Sequence, residues 1–184
     1  MRKQNPKNNY RNATGGNLNR EQPVNFTFDG RRYLGFSGDT LASALLANGV
    51  RVVGRSFKYH RPRGIFAAGV EEPNALVQLR TGARTEPNMQ ATRIELYEGL
   101  VAQSQNRWPC LQFDIGAINS VFKGLIPSGF YYKTFMWPAK VWRVYEHFIR
   151  HVAGMGKSAE DPDPDTYTHR FKHCDVLVAG GGAA

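Results

Sequence analysis

Three consecutive glycines near the carboxyl terminus have the spacing of a dinucleotide-binding turn. Gly180, Gly181 and Gly182 follow the apolar run 176–179. In a Gly-x-Gly-x-x-Gly turn the first glycine permits a tight bend, and the second lets the backbone approach a pyrophosphate. We therefore predict that these glycines bind a cofactor and that residues 173–178 are the buried first strand of a Rossmann-type FAD/NAD-binding domain. The third glycine and the phosphate-binding helix are expected beyond residue 184. The alternative to a dinucleotide-binding turn is a flexible glycine tail.

A basic stretch around His60 is a second candidate site. It carries five positive charges and no acidic residue between positions 51 and 63, namely Arg51, Arg55, Lys58, Arg61 and Arg63. We predict a basic loop that faces solvent or another subunit. Because guanidinium groups pair with phosphate in bidentate fashion, an anion or nucleotide site is the alternative.

The remaining polar residues give weaker indications of chemistry. Glu71 and Glu72 are adjacent, and neighbours on a strand point to opposite faces, so ion pairs with the preceding arginines are predicted instead of acid–base catalysis. His147 and His151 have the spacing of a zinc pair on a helix, but without a third ligand nearby they are predicted to lie on the surface. Cys174 is predicted to pack beside the buried strand. We identify no catalytic residue and no metal ligand.

The elements that must position these residues begin with a hairpin and a helix. Residues 24–28 alternate apolar and polar side chains, as a half-buried strand does. The Asp-Gly pair at 29–30 predicts a two-residue turn, and 31–36 the returning strand. Asp39 is the predicted N-cap of a helix that ends at Gly49.

Three further strands are predicted, at 50–53, 75–79 and 93–97. A hairpin, a helix and further short strands, in that order, indicate an α+β fold of the β-grasp, 2Fe–2S ferredoxin-like type. The predicted organisation is a disordered basic tail (1–20), the ferredoxin-like domain (21–100), an aromatic-rich connecting region (101–170) and the start of the dinucleotide-binding domain (171–184). The aromatic run 129–138 is predicted to face a partner subunit or to form a local core.

Composition excludes several classes of protein. Apolar stretches fall far short of the roughly 20 residues of a membrane span, so no membrane association is expected. Cys110 and Cys174 lie far apart, which favours a reduced, cytoplasmic protein. The net charge of +9 resides in the tail and the basic stretch, not in a stripe interleaved with aromatic residues. We therefore expect no nucleic-acid partner, although a basic nucleic-acid-binding module remains a distant alternative.

Several segments carry a family resemblance. They read Arg-Ser-Phe-Lys-Tyr-His-Arg-Pro-Arg-Gly-Ile-Phe at 55–66, Gly-Asp-Thr-Leu-Ala-Ser-Ala-Leu-Leu at 38–46 and Glu-Glu-Pro-Asn-Ala-Leu-Val at 71–77. With 104–109 and 129–138, they resemble the alpha subunit of heterotetrameric sarcosine oxidase, a protein much longer than this sequence.

This resemblance implies a flavin-dependent oxidoreductase that converts sarcosine and O2 to glycine and hydrogen peroxide and passes the one-carbon unit to tetrahydrofolate. It implies beta, gamma and delta subunits as partners, FAD and FMN in the complex, and NAD bound by the alpha subunit. Of the cofactor-binding residues, only Gly180 to Gly182 have counterparts in this sequence. A subunit of a related flavin-dependent amine or opine oxidase or dehydrogenase is the alternative.

The resemblance also concerns a metal cluster. Relatives such as hydrogen cyanide synthase and the amine or opine dehydrogenases carry a 2Fe–2S cluster, whose cysteine ligands follow the Arg-Pro-Arg-Gly segment. Residues 66–75 of this sequence contain no cysteine, and two cysteines in the whole chain cannot supply four thiolates. We therefore expect no 2Fe–2S cluster.

Overall fold

The computed structural model describes residues 10–121, 139–146, 156 and 158–178. Its strands and helix are β1 (Asn19–Phe28), β2 (Arg31–Ser37), α1 (Leu41–Ala47), β3 (Gly54–Arg55), β4 (Pro62–Arg63), β5 (Leu76–Leu79), β6 (Glu86–Gln90) and β7 (Leu100–Ser104). Short 3-10 helices cover Gly82–Arg84, Ala91–Arg93, Ile115–Ser120 and Ala139–Val141. A helical turn at 142–146 follows the last of them.

Five strands form one mixed sheet in the order β2-β1-β7-β5-β6. The central strands β1 and β7 are parallel, and all other neighbours in the sheet are antiparallel. This order, with a helix between the first hairpin and the later strands, is that of a β-grasp domain. The predicted α+β class with a mixed sheet is confirmed. The short strands β3 and β4 pair with each other as a separate hairpin.

Side chains of the helix and of the sheet form one apolar core. Strand β1 supplies Phe26 and Phe28, α1 supplies Leu41 and Leu45, and β5 and β7 supply further apolar side chains. The rings of Phe26 and Tyr33 stack, with centroids 5.6 Å apart. The core therefore holds the helix against the face of the sheet to which these strand residues point.

The first hairpin and the helix end confirm the local predictions. Asp29 and Gly30 both have positive φ, at 48° and 75°, as a two-residue turn between twisted strands requires. Gly49, with φ of 78°, follows the C-cap Asn48 and ends α1.

The predicted N-cap is wrong by one residue. Thr40 caps α1, and its hydroxyl accepts from the Ser43 amide at 3.1 Å, while the Ser43 hydroxyl accepts from the Thr40 amide at 3.0 Å. This reciprocal pair is a capping box. Asp39 is buried and its carboxylate has other partners.

Two of the predicted strands are wrong. Residues 50–53 contain no strand, and 93–97 contain the end of the 3-10 helix Ala91–Arg93 and a single bridge between Glu95 and Thr40. Alternating side chains in 93–97 are buried, which produces the sequence pattern of a strand. The backbone makes only the two hydrogen bonds of that bridge, Leu41 amide to Ile94 carbonyl and Leu96 amide to Asp39 carbonyl, and not a ladder.

The strands β6 and β7 were not among the predicted strands. In β6, Pro87 cannot donate a ladder hydrogen bond and Asn88 has a φ of 60°, so its sequence is unlike that of a regular strand. Strand β7 does alternate buried and half-buried side chains, and it crosses the predicted domain boundary at residue 100.

Residues 10–18, here called the N-terminal arm, are attached to the domain by a buried ion pair. The guanidinium of Arg11 donates to both carboxylate oxygens of Asp39, at 2.9 and 2.6 Å. The same carboxylate accepts from the Phe36 amide at 2.9 Å and the Ser43 hydroxyl at 2.7 Å. Asp39 therefore joins the arm, β2 and α1.

The tail predicted to be disordered is in part ordered. The amide of Tyr10 donates to the Ala47 carbonyl at 3.2 Å, and β1 already begins at Asn19. Sequence reasoning missed this because the partner of each arm residue is distant in the chain. Residues 1–9 lie outside the described residues.

Replacing Arg11 by alanine is expected to lower the free energy of unfolding by about 1.5–3 kcal/mol, the range for hydrogen bonds to charged groups. The Asp39 carboxylate would stay buried with only neutral donors. Urea-induced unfolding followed by circular dichroism measures the change. Arg32, an exposed arginine of β2, provides the control; equal effects of the Arg11→Ala and Arg32→Ala variants would contradict the proposed role of the ion pair.

Candidate functional site

The basic stretch forms the hairpin of β3 and β4. The Ser56 amide donates to the Arg61 carbonyl at 2.9 Å, and the His60 amide donates to the Ser56 carbonyl at 3.1 Å. His60 has a φ of 51°, a conformation that a few per cent of non-glycine residues adopt. This turn directs the His60 side chain into the protein.

His60 belongs to a buried cluster with Arg55 and Asp114, here called the Arg55–His60–Asp114 cluster. Its Nδ1 lies 2.7 Å from Oδ2 of Asp114. Nε of Arg55 lies 3.8 Å from the same oxygen, and its Nη1 donates to the His60 carbonyl at 3.1 Å. The other terminal nitrogen, Nη2, donates to the Leu111 carbonyl.

Asp114 also organises the segment on which it lies. Its Oδ1 accepts from the Trp108 amide at 3.0 Å and from the Gly116 amide at 3.2 Å, at the start of the 3-10 helix Ile115–Ser120. A Cβ on Gly116 would lie 2.3 Å from Nδ1 of His60, so only glycine permits this approach. The cluster therefore links the basic hairpin to residues 108–116.

The structure separates the residues of the basic stretch into two groups. Arg55 and His60 point inward and are bound by protein groups, which contradicts the alternative of an anion site for these two residues. Arg61 and Arg63 are exposed, and the Arg61 guanidinium lies over the ring of Tyr59 at 5.0 Å. For this exposed part the predicted basic loop at the surface agrees with the structure.

Two cavities lie near charged groups. One, of about 240 Å³, lies beside the basic hairpin and is lined in part by Arg55, Asn74 and Asn106. The other, of about 460 Å³, has Arg80 and Arg84 in its wall, but both are paired, with Glu86 at 2.8 Å and Asp165 at 2.6 Å.

Glu72 is a buried carboxylate whose hydrogen-bond partners are backbone amides. Its Oε2 accepts from Phe66 and Ala67 at 2.6 and 2.5 Å, and its Oε1 accepts from Asn74 and Ala75 at 2.7 and 3.2 Å. The four donors come from both ends of one irregular loop. The carboxylate therefore lies at the centre of that loop.

The predicted ion pairs of Glu71 and Glu72 with arginines are wrong. Within the described part of the chain, neither carboxylate makes an ion pair. Glu71 is exposed and accepts from the Gly69 amide at 3.0 Å, whereas Glu72 is 1% exposed. One side chain is exposed and the other buried, as neighbours that point to opposite sides should be. The partners of both carboxylates are backbone amides, not the predicted guanidinium groups.

The pKa of Glu72 lies below its ordinary value of 4.5. Burial by itself raises this pKa, but the amides of Ala67, Asn74, Phe66 and Ala75 together lower it by more, because they stabilise the charged form. A lowered pKa in the folded state means that the ionised carboxylate stabilises the fold.

We expect the stabilising effect of Glu72 to be complete above pH 4.5 and to be lost as the pH falls from there through the lowered pKa of the folded state. Urea unfolding of the wild type and of Glu72→Gln, measured from neutral to acidic pH, tests this. The difference in stability should shrink in acid. A difference in unfolding free energy that stays the same at every pH would contradict the expectation. Glu71→Gln, which changes the exposed neighbouring carboxylate, is the control.

The cysteines do not form a common site in the structure. The Cys110 amide and thiol both lie against the Phe113 carbonyl, and Cys174 is exposed. No group of three or more metal-ligating side chains occurs within the described ranges. Because Cys174 is exposed, its predicted packing beside a buried strand is wrong.

The predicted strand at 173–178 is not confirmed. These residues form no strand, and Val176, Leu177 and Val178 are 77%, 80% and 79% exposed. The aromatic run 129–138, the histidines His147 and His151, and the glycines Gly180 to Gly182 all lie outside the described residues. In the part that is described, no helix has the length and apolarity to cross a bilayer.

Sequence reasoning missed Asp114 as the partner of His60. The two residues are 54 positions apart, and no motif links them. Sequence reasoning also missed the bond from the Asn74 amide to Glu72, because bonds to the amide two positions on are typical of Asn and Asp and not of Glu. The donors at Phe66 and Ala67 had no sequence signal either.

A family model matches the part of the chain that contains the sheet. A family model described as a 2Fe–2S iron–sulfur cluster binding domain matches residues 21–107. This range covers all seven strands except the first two residues of β1.

Two curated relatives are alpha subunits of sarcosine oxidase. The subunit from Rhizobium meliloti (strain 1021) is 59% identical over 174 residues, which is 94% of this chain and 18% of that protein. The subunit from Corynebacterium sp. (strain U-96) is 33% identical over 94% of this chain and 13% of its own length. The chain thus spans less than a fifth of the length of either relative.

A solved structure, the L-proline dehydrogenase from P. horikoshii, is 26% identical and is matched over 46% of this chain and 16% of its own. The TM-score is 0.36, which is too low to equate the two folds.

Proposed function

From the similarity of 94% of this chain to the N-terminal region of a sarcosine oxidase alpha subunit, we propose that it is the N-terminal part of such a subunit. The observation that carries the proposal is the 59% identity over 174 residues. The match includes both the basic hairpin and the loop that contains Glu72.

The proposed activity is that of the whole complex. It oxidises the N-methyl group of sarcosine with O2, gives glycine and hydrogen peroxide, and passes the one-carbon unit to tetrahydrofolate. FAD and FMN would carry out the redox chemistry in a complex with beta, gamma and delta subunits. The two widely separated cysteines are compatible with the proposed cytoplasmic location.

NAD is the proposed cofactor of the alpha subunit itself. Gly180, Gly181 and Gly182 are the residues of this chain proposed to approach its pyrophosphate, in a dinucleotide-binding domain that starts at 171–184. The proposal rests on the glycine spacing after an apolar run.

The residues present do not fit a 2Fe–2S cluster, so we propose a ferredoxin-like domain that lacks one. Residues 21–107, which match the cluster-binding family, contain no cysteine. The donor set of such clusters is four thiolates, or two thiolates with two histidines. In the loop that the resemblance associates with cluster ligands, the amide donors are already bound by Glu72.

Sarcosine-dependent oxygen uptake tests the proposed activity. The full-length protein, purified together with its partner subunits, should consume O2 and produce hydrogen peroxide and glycine from sarcosine. L-Proline serves as the comparison substrate. Oxidation of another secondary amine but not of sarcosine would contradict the proposal and favour the related amine oxidases.

A further inference from the structure

The loop 64–75, here called the Glu72 loop, is folded around one side chain. Between β4 and β5 it contains no helix or strand, only bends and one turn. Its amides at Phe66 and Ala67 lie before the carboxylate in sequence, and those at Asn74 and Ala75 lie after it. The loop therefore closes on Glu72 from both sides.

This arrangement has the chemistry of an anion site. Backbone N–H groups that converge on one point form the concave sites in which proteins bind phosphate and iron–sulfur centres. Moving a charge out of water is costly unless it is paired or hydrogen-bonded. The Glu72 carboxylate is 1% exposed and is compensated by four amides, without an ion pair to any described residue.

The rest of the domain holds the outside of the loop. The Thr92 hydroxyl donates to the Gly69 carbonyl at 2.7 Å. The Gln90 side-chain amide donates to the carbonyls of Val70 and Glu72, at 3.0 and 2.9 Å. These bonds end on carbonyl oxygens of the loop. The amides of Phe66, Ala67, Asn74 and Ala75 therefore still depend on the Glu72 carboxylate as their acceptor.

We propose that the Glu72 carboxylate is an internal anion that occupies the amide-lined centre of this loop, in place of a bound anionic group. It is a positioning residue: it keeps the loop folded by accepting from the amides at both of its ends. This inference rests on the proposed absence of a cluster and explains how the loop is folded without one.

The inference makes removal of the side chain informative. Glu72→Ala leaves four inward-pointing amides around a small space, which is a site for a free carboxylate such as acetate. Glu72→Gln fills the space but turns one acceptor oxygen into an NH2 group, which faces donors and cannot accept from them. Both variants should loosen the loop, and acetate should restore only the alanine variant.

Hydrogen exchange followed by mass spectrometry on the full-length protein tests this. Peptides covering 64–76 should exchange about tenfold faster or more in Glu72→Ala and Glu72→Gln, because each loses charged hydrogen bonds. Acetate, but not chloride, should restore slow exchange in Glu72→Ala in a saturable manner. Glu71→Ala is the matched control: it removes only the exposed acceptor of the Gly69 amide, so exchange of the loop should rise far less than in the Glu72 variants.

The outcomes separate this inference from the proposed function. Wild-type exchange of the loop in both Glu72 variants would overturn the inference. If Glu72→Ala does not fold, exchange in Glu72→Gln decides alone. Iron and acid-labile sulfide are measured on the same wild-type protein, and one cluster per chain would overturn the proposed cluster-free domain and the inference with it. Absence of iron together with unchanged loop exchange would overturn only the inference.

Discussion

Replacement of Asp114 by alanine is expected to lower the free energy of unfolding by about 3–5 kcal/mol, the cost of removing one partner from a buried charged pair. Arg55 and His60 would remain buried beside an empty position, and the amides of Trp108 and Gly116 would lose their acceptor. Urea-induced unfolding, followed by circular dichroism, measures the change in free energy.

The control for Asp114→Ala is Asp161→Ala, which removes an exposed carboxylate. Its effect should stay within about 0.5 kcal/mol of zero. Hydrogen exchange should also increase in the hairpin of β3 and β4, since Asp114 holds it to residues 108–116. Equal stability of the two variants, or an unaffected hairpin, would contradict the role assigned to the cluster.

Replacement of Phe26 by alanine is expected to cost about 3–5 kcal/mol, the range for an aromatic residue in a packed core. Phe26 is 2% exposed, lies opposite Leu100 in the parallel pair of β1 and β7, and stacks on Tyr33. Loss of the Phe26 ring leaves a cavity in the core between the sheet and α1. Thermal and urea unfolding of the purified variant provide the measurement.

The matched variant is Phe171→Ala, because the Phe171 ring is 92% exposed. Its stability should differ from that of the wild type by no more than about 0.5 kcal/mol. A Phe26→Ala variant as stable as Phe171→Ala would show that the packing between β1 and its neighbours does not stabilise the domain.

Local conformations were predictable because they depend on neighbouring residues. The turn at Asp29 and Gly30 and the helix end at Gly49 each require positive φ, a property of the residue types themselves. Alternation of apolar and polar residues at 24–28 correctly predicted β1, the Asp-Gly pair correctly predicted the first hairpin, and 75–79 correctly predicted β5. The same alternation misled at 93–97, because buried side chains can alternate along an irregular segment.

The α+β class, the first hairpin, the helix and a cysteine content too low for a four-thiolate cluster follow from the residue types and their order. The parallel pairing of β1 with β7, the contact of His60 with Asp114, the attachment of Arg11 to Asp39 and the amide partners of Glu72 do not, and they were found only in the folded chain. They could not be predicted because a buried carboxylate can be satisfied by an arginine, a histidine or a backbone amide. The residue type states only that a partner is needed, and the fold determines which groups come within hydrogen-bond distance.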